Sequence, residues 1–361
     1  MKHGGNLYEI AAAYQLKQEE IIDFSANINP LGVPRVMAEI IRGGIDRLID
    51  YPDIHYYQLR ECIGRKYGIN TAHLHLGNGG AQVIFDFIRV VSPKKALVVS
   101  PTFLEYTRAL QAVGAEIRHF YLLEAEDFRL NVGALINALD DGFDMVILCN
   151  PNNPTGGQVS KEDLLSLSEA CSKKGIVLMI DEAFMDFIDQ DHQMTMLSLC
   201  QYFNNLMITR SFTKFYGVPG LRLGFGATGN GKYLEGLKIQ TIPWSLNYFA
   251  SCFHRVLEEE GAYETETFQW LKREQTRMLE GLNELASIKV YPTAVNFILL
   301  RLLDPKMNCQ GLNNLLLKEK ILIREGNTFN GLNHAYVRVA VKDQGSNGRL
   351  LGAMGAILGK K

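Results

Sequence analysis

The chain has 361 residues, 47% hydrophobic and 21% charged, enough for one large domain and a smaller one with an ordinary globular balance. Its 37 Lys and Arg against 39 Asp and Glu leave a formal charge of −2, which excludes disorder and removes the electrostatic footing of a nucleic-acid partner. The six cysteines, Cys62, Cys149, Cys171, Cys200, Cys252 and Cys309, are scattered without the spacing of a metal site, and predict buried thiols in a reducing compartment.

The start, Met1 to Asn6, carries Lys2 but no apolar stretch behind it. No uninterrupted apolar run approaches the ~18 to 20 residues that span a bilayer, so a cytoplasmic protein with no membrane partner is expected. Ser25 to Leu31 reads as an extended segment, and residues 1–40 are expected to pack with the C-terminal part. From about Leu76 to Thr228, short β-branched runs alternate with helical patterns, the signature of an α/β sheet. Strands are predicted at 96–100, 116–120, 145–149, 176–180, 206–210 and 223–227. Several are apolar at consecutive positions, as strands covered on both faces are. Helices are predicted at 82–91, after Thr102, and at 161–174, where Ser160 followed by Glu162 and Asp163 marks a start. After Trp244 come long helices at 246–260 and 263–286. Strands at 289–291, 297–301, 321–324 and 335–341, with helices at 310–318 and 348–358, complete a compact α+β unit. No repeat or flexible linker separates the two parts.

Lys214 stands in Ser211-Phe212-Thr213-Lys214, just past an apolar strand, with Arg222 eight residues on. Such a lysine is usually a solvated surface residue. Two hydroxyls and an arginine beside it form a donor set suited to one phosphate, and nearby positive charge with desolvation lowers an amine's pKa toward reactivity with an aldehyde. Asp181 ends a strand, where α/β folds bind ligands, although a helix cap or surface ion pair explains it equally well. Asn150 to Gly156 is a proline-stiffened turn that would fix the Asn153 amide. Gly77-Asn78-Gly79-Gly80-Ala81 opens a helix whose free N–H groups can receive a phosphate. Arg324 and Arg338 lie on predicted strands; arginines there are commonly outward charges, but each can also fork onto a carboxylate.

Taken in order, these sites resemble the fold type I pyridoxal phosphate enzymes of the aspartate aminotransferase superfamily, over essentially the whole chain. The resemblance implies an α/β fold: a large domain over 41–285 with a mostly parallel seven-stranded sheet flanked by helices, and a smaller α+β domain from 1–40 and 286–361. It implies that Lys214 forms the Schiff base with pyridoxal 5'-phosphate, that Asp181 pairs with the pyridine nitrogen and that Asn153 meets the ring hydroxyl. Ser211, Thr213, Arg222, Gly80 and Ala81 would surround the phosphate. Phe103 would stack on the ring, with Tyr106 as a nearby candidate. Tyr51 would reach the phosphate of the neighbouring subunit in a homodimer. Arg338 matches the arginine that grips an amino-acid carboxylate.

Many superfamily members carry a tyrosine three residues after the aspartate; this chain has Phe184. His3-Gly4-Gly5-Asn6, the segment from Ser25 to Gly32, Asp181 to Phe184 and Ser211 to Leu223 are similar to the threonine-phosphate decarboxylase family of cobalamin biosynthesis. That likeness implies decarboxylation of L-threonine O-3-phosphate, with His3, Asn27, Asn153, Arg324 and Arg338 holding the substrate. Histidinol-phosphate aminotransferase is the alternative. A non-catalytic cofactor-binding protein is the reading from another class, against which Lys214 and Asp181 together argue.

Overall fold

The computed structural model describes residues 4–139, 142–189 and 192–359; His3, one of the expected substrate residues, lies outside them. The first strand, β1 (Ile22–Asp23), stands apart from the large sheet. That sheet is built from β2 (Leu74–Gly77), β3 (Lys95–Ser100), β4 (Glu116–Tyr121), β5 (Met145–Cys149), β6 (Val177–Asp181), β7 (Leu206–Ser211) and β8 (Gly224–Ala227). Its order is β2-β8-β7-β6-β5-β3-β4, with β8 antiparallel to both neighbours and the pairs among β7, β6, β5, β3 and β4 parallel.

The central strands are buried along their full length. Their side chains alternate between two cores, as a period of two requires. Val146, Leu148, Leu178, Ile180, Leu206 and Ile208 enter one, and Met145, Ile147, Val177, Met179 and Met207 the other. Two apolar faces explain the unbroken apolar runs in the sequence.

The second sheet is antiparallel, with order β12-β13-β10-β9: β9 (Ile288–Val290), β10 (Phe297–Leu302), then, after β11 (Ile321–Leu322), β12 (Arg324–Glu325) and β13 (Tyr336–Ala340). β11 pairs instead with β1, in parallel, with Ile22 opposite Ile321. The strand expected at 321–324 is therefore two strands in two sheets. The break falls at Ile323, whose N–H goes to the side chain of Asn313.

The helix expected at 246–260 is also divided, into Tyr248–Ser251 and His254–Glu259. Phe253, fully buried against Phe212 and Tyr216, sits at the break, so aromatic packing overrides the local period. Helix Arg35–Gly43 packs on His254–Glu259, and its Val36 N–H donates to Glu260. No described helix is long and apolar enough to cross a membrane.

Candidate active site

The parallel strands end on one edge, and their terminal residues meet the second sheet across a cleft of about 680 Å³. At one end the helix Gly80–Val91 begins, with Gly79 at φ +88° before it. A β-carbon at Gly79 would lie 2.4 Å from Arg222 Nη2, so only a bare backbone lets the guanidinium approach. Ser211 Oγ and Thr213 Oγ1 are 2.8 Å apart, and Lys214 Nζ donates to Thr213 Oγ1 at 3.2 Å. Helix-end amides, two hydroxyls and a guanidinium thus converge as donors for one phosphate.

Lys214 lies on the short helix Phe212–Phe215, which directly follows β7 and is anchored by burial of Phe212 and Phe215. Burial, with Arg222 adding like charge, pushes the Lys214 amine down to about 8, while Asp181 opposes the shift. Asp181 is the last residue of β6 and is buried. Its Oδ1 accepts from Thr209 Oγ1 at 2.7 Å and from the Ala183 N–H at 3.2 Å, and its Oδ2 accepts from Tyr106 at 2.5 Å. Burial raises this carboxyl above its ordinary range, and the same donors hold the rise in check.

Tyr106 corrects a sequence expectation. It is not a stacking candidate: it lies fully buried, edge-on to Phe103 at 5.7 Å, with its hydroxyl on Asp181. Phe103 is the aromatic that lines the cleft. Phe184 lines it as well and packs edge-on against Phe297.

Asn153 follows β5 in a turn held by Gly156 N–H to Asn152 O, at 2.7 Å, and by the Asn152 amide on Pro101 O and Thr155 Oγ1. Its Oδ1 accepts from Arg338 Nη1 at 2.5 Å. Arginine only donates, so the amide oxygen must face it and the NH2 group is left for other acceptors.

Arg324 and Arg338 are directly opposite each other across β12 and β13, and both line the cleft. Burial, then Arg324, brings Arg338 down to about 9, and burial brings Arg324 down to about 10. Arg338 Nη2 donates to Ser25 O at 2.6 Å, while its buried Nε has no hydrogen-bond partner among the described residues. Asn27 Oδ1, buried in the same wall, is also without one. The Phe329 ring lies 5.1 Å from the Arg324 guanidinium and 5.8 Å from that of Arg338. Gly4 and Gly5 border the cleft, with the Gly5 N–H on Ser25 Oγ at 2.9 Å.

The structure therefore gathers Gly80, Ala81, Phe103, Asn153, Asp181, Ser211, Thr213, Lys214, Arg222, Asn27, Arg324 and Arg338 around one cleft. Tyr51 is not among them: it is 79% exposed and lies tilted against Trp244, with ring centroids 4.7 Å apart. Thr209 and Phe329 were missed. Thr209 was legible only through its pairing with Asp181 across β6 and β7, and Phe329 lies in an aperiodic loop.

The model of the family described as aminotransferase class I and II matches residues 19–354. The threonine-phosphate decarboxylase of Salmonella typhimurium is 35% identical over 356 residues, 99% of this chain and 96% of that protein. A bifunctional adenosylcobalamin biosynthesis protein from Leptospira interrogans is 30% identical over 99% of this chain and 41% of its own length. Among solved structures, histidinol-phosphate aminotransferase from Clostridium acetobutylicum aligns with a TM-score of 0.85 at 32% identity, covering 92% of this chain and 98% of that one. The donor set of the cleft fits pyridoxal phosphate chemically: an amine near neutrality, a buried carboxylate, an amide and a phosphate cradle that a β-carbon at Gly79 would fill.

Proposed function

We propose, from the premise that this chain belongs to the aminotransferase class I and II family, that it decarboxylates L-threonine O-3-phosphate to (R)-1-amino-2-propanol O-2-phosphate for cobalamin biosynthesis. Members of that family depend on pyridoxal phosphate. The observation that carries the reading is the buried pair Arg324 and Arg338, face to face on the cleft wall, with Arg338 Nε open to an acceptor. Two guanidiniums suit a substrate bearing both a carboxylate and a phosphate. Histidinol phosphate carries only the phosphate, and an aminotransferase would meet a carboxylate here only in its amino acceptor or donor.

Gly80, Ala81, Ser211, Thr213 and Arg222 would hold the cofactor phosphate, Asp181 the ring nitrogen and Asn153 the ring hydroxyl, with Phe103 against the ring. Bound pyridoxal phosphate supplies a sink for the electron pair left when carbon dioxide departs. The outcome would then depend on which group of the substrate α-carbon the cleft's own residues turn toward that sink. Arg324, Arg338, Asn27 and His3 would set that tilt by holding the substrate anions, turning the carboxylate rather than the hydrogen to the reactive position. Lys214 would return a proton to the α-carbon afterwards. In this arrangement 41–285 is the cofactor lobe, and 1–40 with 286–361 is the lobe that selects the substrate.

The alternative is a histidinol-phosphate aminotransferase, favoured by the 32% identity to the Clostridium structure. Product partition separates the two. L-threonine O-3-phosphate is expected to release carbon dioxide with no need for an amino acceptor. Sustained glutamate formation from histidinol phosphate and 2-oxoglutarate, faster than that release, would replace the decarboxylase with the transaminase.

The working unit in this reading is a homodimer. Ile45, Leu48, Ile49, Tyr51, Tyr57 and Trp244 leave apolar surface exposed, which supports a covered face. Tyr51 would then serve the partner's phosphate site, and Tyr51→Phe should weaken cofactor affinity by ~1.5 to 3 kcal/mol. Sedimentation at assay concentration tests the dimer directly, and a fully active monomer contradicts it. The six free cysteines support a reducing, cytoplasmic setting.

A further inference from the structure

The Asp181 carboxylate is held from both sides by hydroxyls that never reach the cleft surface. Tyr106, in the first turn of helix Glu105–Ala112, is fully buried and spends its hydroxyl on Asp181 Oδ2 at 2.5 Å. Thr209, equally buried and directly opposite Asp181 in the sheet, donates to Oδ1 at 2.7 Å. The Tyr106 phenol is held well above its ordinary range by burial and by the neighbouring Asp181, so it remains a proton donor. Cys149 beside it is pushed up to about 12 by burial and stays neutral. Lys214 also faces Asp181.

A carboxylate removed from water returns toward its protonated form unless donors replace that water. The two hydroxyls are those replacements, one per oxygen, and the Ala183 N–H at 3.2 Å is the weaker third. We propose that Tyr106 is a positioning residue for Asp181: its phenol keeps the carboxylate ionised and at a fixed angle, and so sets how fully the pyridine nitrogen of bound pyridoxal phosphate is protonated. This rests on the reading of the cleft as a pyridoxal phosphate site, but not on which substrate it takes. Without the phenol, Asp181 becomes the stronger base, and the shared proton moves from the ring nitrogen to the carboxyl. The ring then withdraws electrons less strongly.

The test uses holoenzyme loaded with pyridoxal phosphate labelled with 15N in the ring. Wild type is compared with Tyr106→Phe, which keeps the ring packed on Phe103, and with Thr209→Val, which keeps the shape of the strand. The 15N resonance of wild type is expected at the protonated position. Both variants should move it toward unprotonated pyridine, with the carboxyl raised further as a donor to it is lost. kcat should fall about tenfold, with KM changing less than about twofold. Should Tyr106→Phe fail to fold, Thr209→Val carries the same readout on the other oxygen. A lower kcat with an unmoved 15N resonance overturns the proposal, because it would mark a merely structural effect. Wild type that takes up no pyridoxal phosphate overturns the reading of the cleft as well; loaded wild type with an unchanged variant spectrum overturns this inference alone.

Discussion

Lys214→Ala is expected to abolish carbon dioxide release, by about 10⁴-fold or more, and to remove the visible colour of the protein with its cofactor. Among the described residues, Lys214 is the one lysine lining the cleft; its Nζ donates to the Thr213 hydroxyl, and Arg222 and Asp181 act on its charge. Alanine takes away both the covalent tie and the proposed proton donor while leaving the phosphate cradle in place. Turnover at the wild-type rate would sink the assignment. The amine's pKa gives a second readout. Its folded value of about 8 lies below the ordinary 10.5, so below pH 8 the proton blocks attack on an aldehyde and above it the amine is free. Cofactor uptake by the cofactor-free chain should therefore rise about tenfold per pH unit up to about 8 and then level off. Between about 8 and the ordinary lysine range the unfolded chain holds a proton that the folded chain has released, so this group adds stability as pH rises there.

The second large effect is expected at Arg338. Arg338→Lys should cut kcat/KM for L-threonine O-3-phosphate by about a hundredfold to a thousandfold, because an ammonium cannot reproduce a planar two-point grip. The guanidinium also joins Asn153 to Ser25, so the variant loosens a link between the turn after β5 and the N-terminal segment at the same point. Free L-threonine, assayed with the wild-type protein, should show a comparable loss. If contacts to the substrate phosphate contribute ~4 kcal/mol in the transition state, its kcat/KM falls about a thousandfold. Steady-state carbon dioxide release measures both; wild-type values for Arg338→Lys, or for the unphosphorylated amino acid, would remove the arginine pair from substrate selection.

Where a chemical group stands at the end of a buried strand, sequence and structure agree closely. The predicted strand at 145–149 matches β5, that at 176–180 is shifted by one residue against β6, and that at 206–210 ends one residue short of β7. Unbroken apolar runs betray such strands, and polar residues after them mark the crevice. Local pattern failed where a distant partner decided the outcome. Ile323 separates β11 from β12 because each finds a different sheet, and nothing within 321–324 encodes that choice. Phe253 breaks a helical period for the sake of an aromatic cluster drawn from residues about forty positions earlier. Tyr106 looked like a ring-stacking candidate from its place after Phe103, yet one helical turn directs its hydroxyl behind the cleft wall instead.

The bond from Arg338 to the Ser25 carbonyl joins residues 313 positions apart. β1 likewise needs β11, and the Phe24 carbonyl waits for the Ala340 N–H. During synthesis, the strands bearing Asp181 and the segment bearing Lys214 leave the ribosome well over a hundred residues before Arg338. The residues proposed to hold the cofactor are thus synthesised before Arg338, the residue proposed to grip an amino acid's carboxylate. The residues proposed for reactivity therefore precede in synthesis the residue proposed to select the substrate, yet both rest on one core that includes Val337 and Val339 of β13, so neither is complete until that strand has been made.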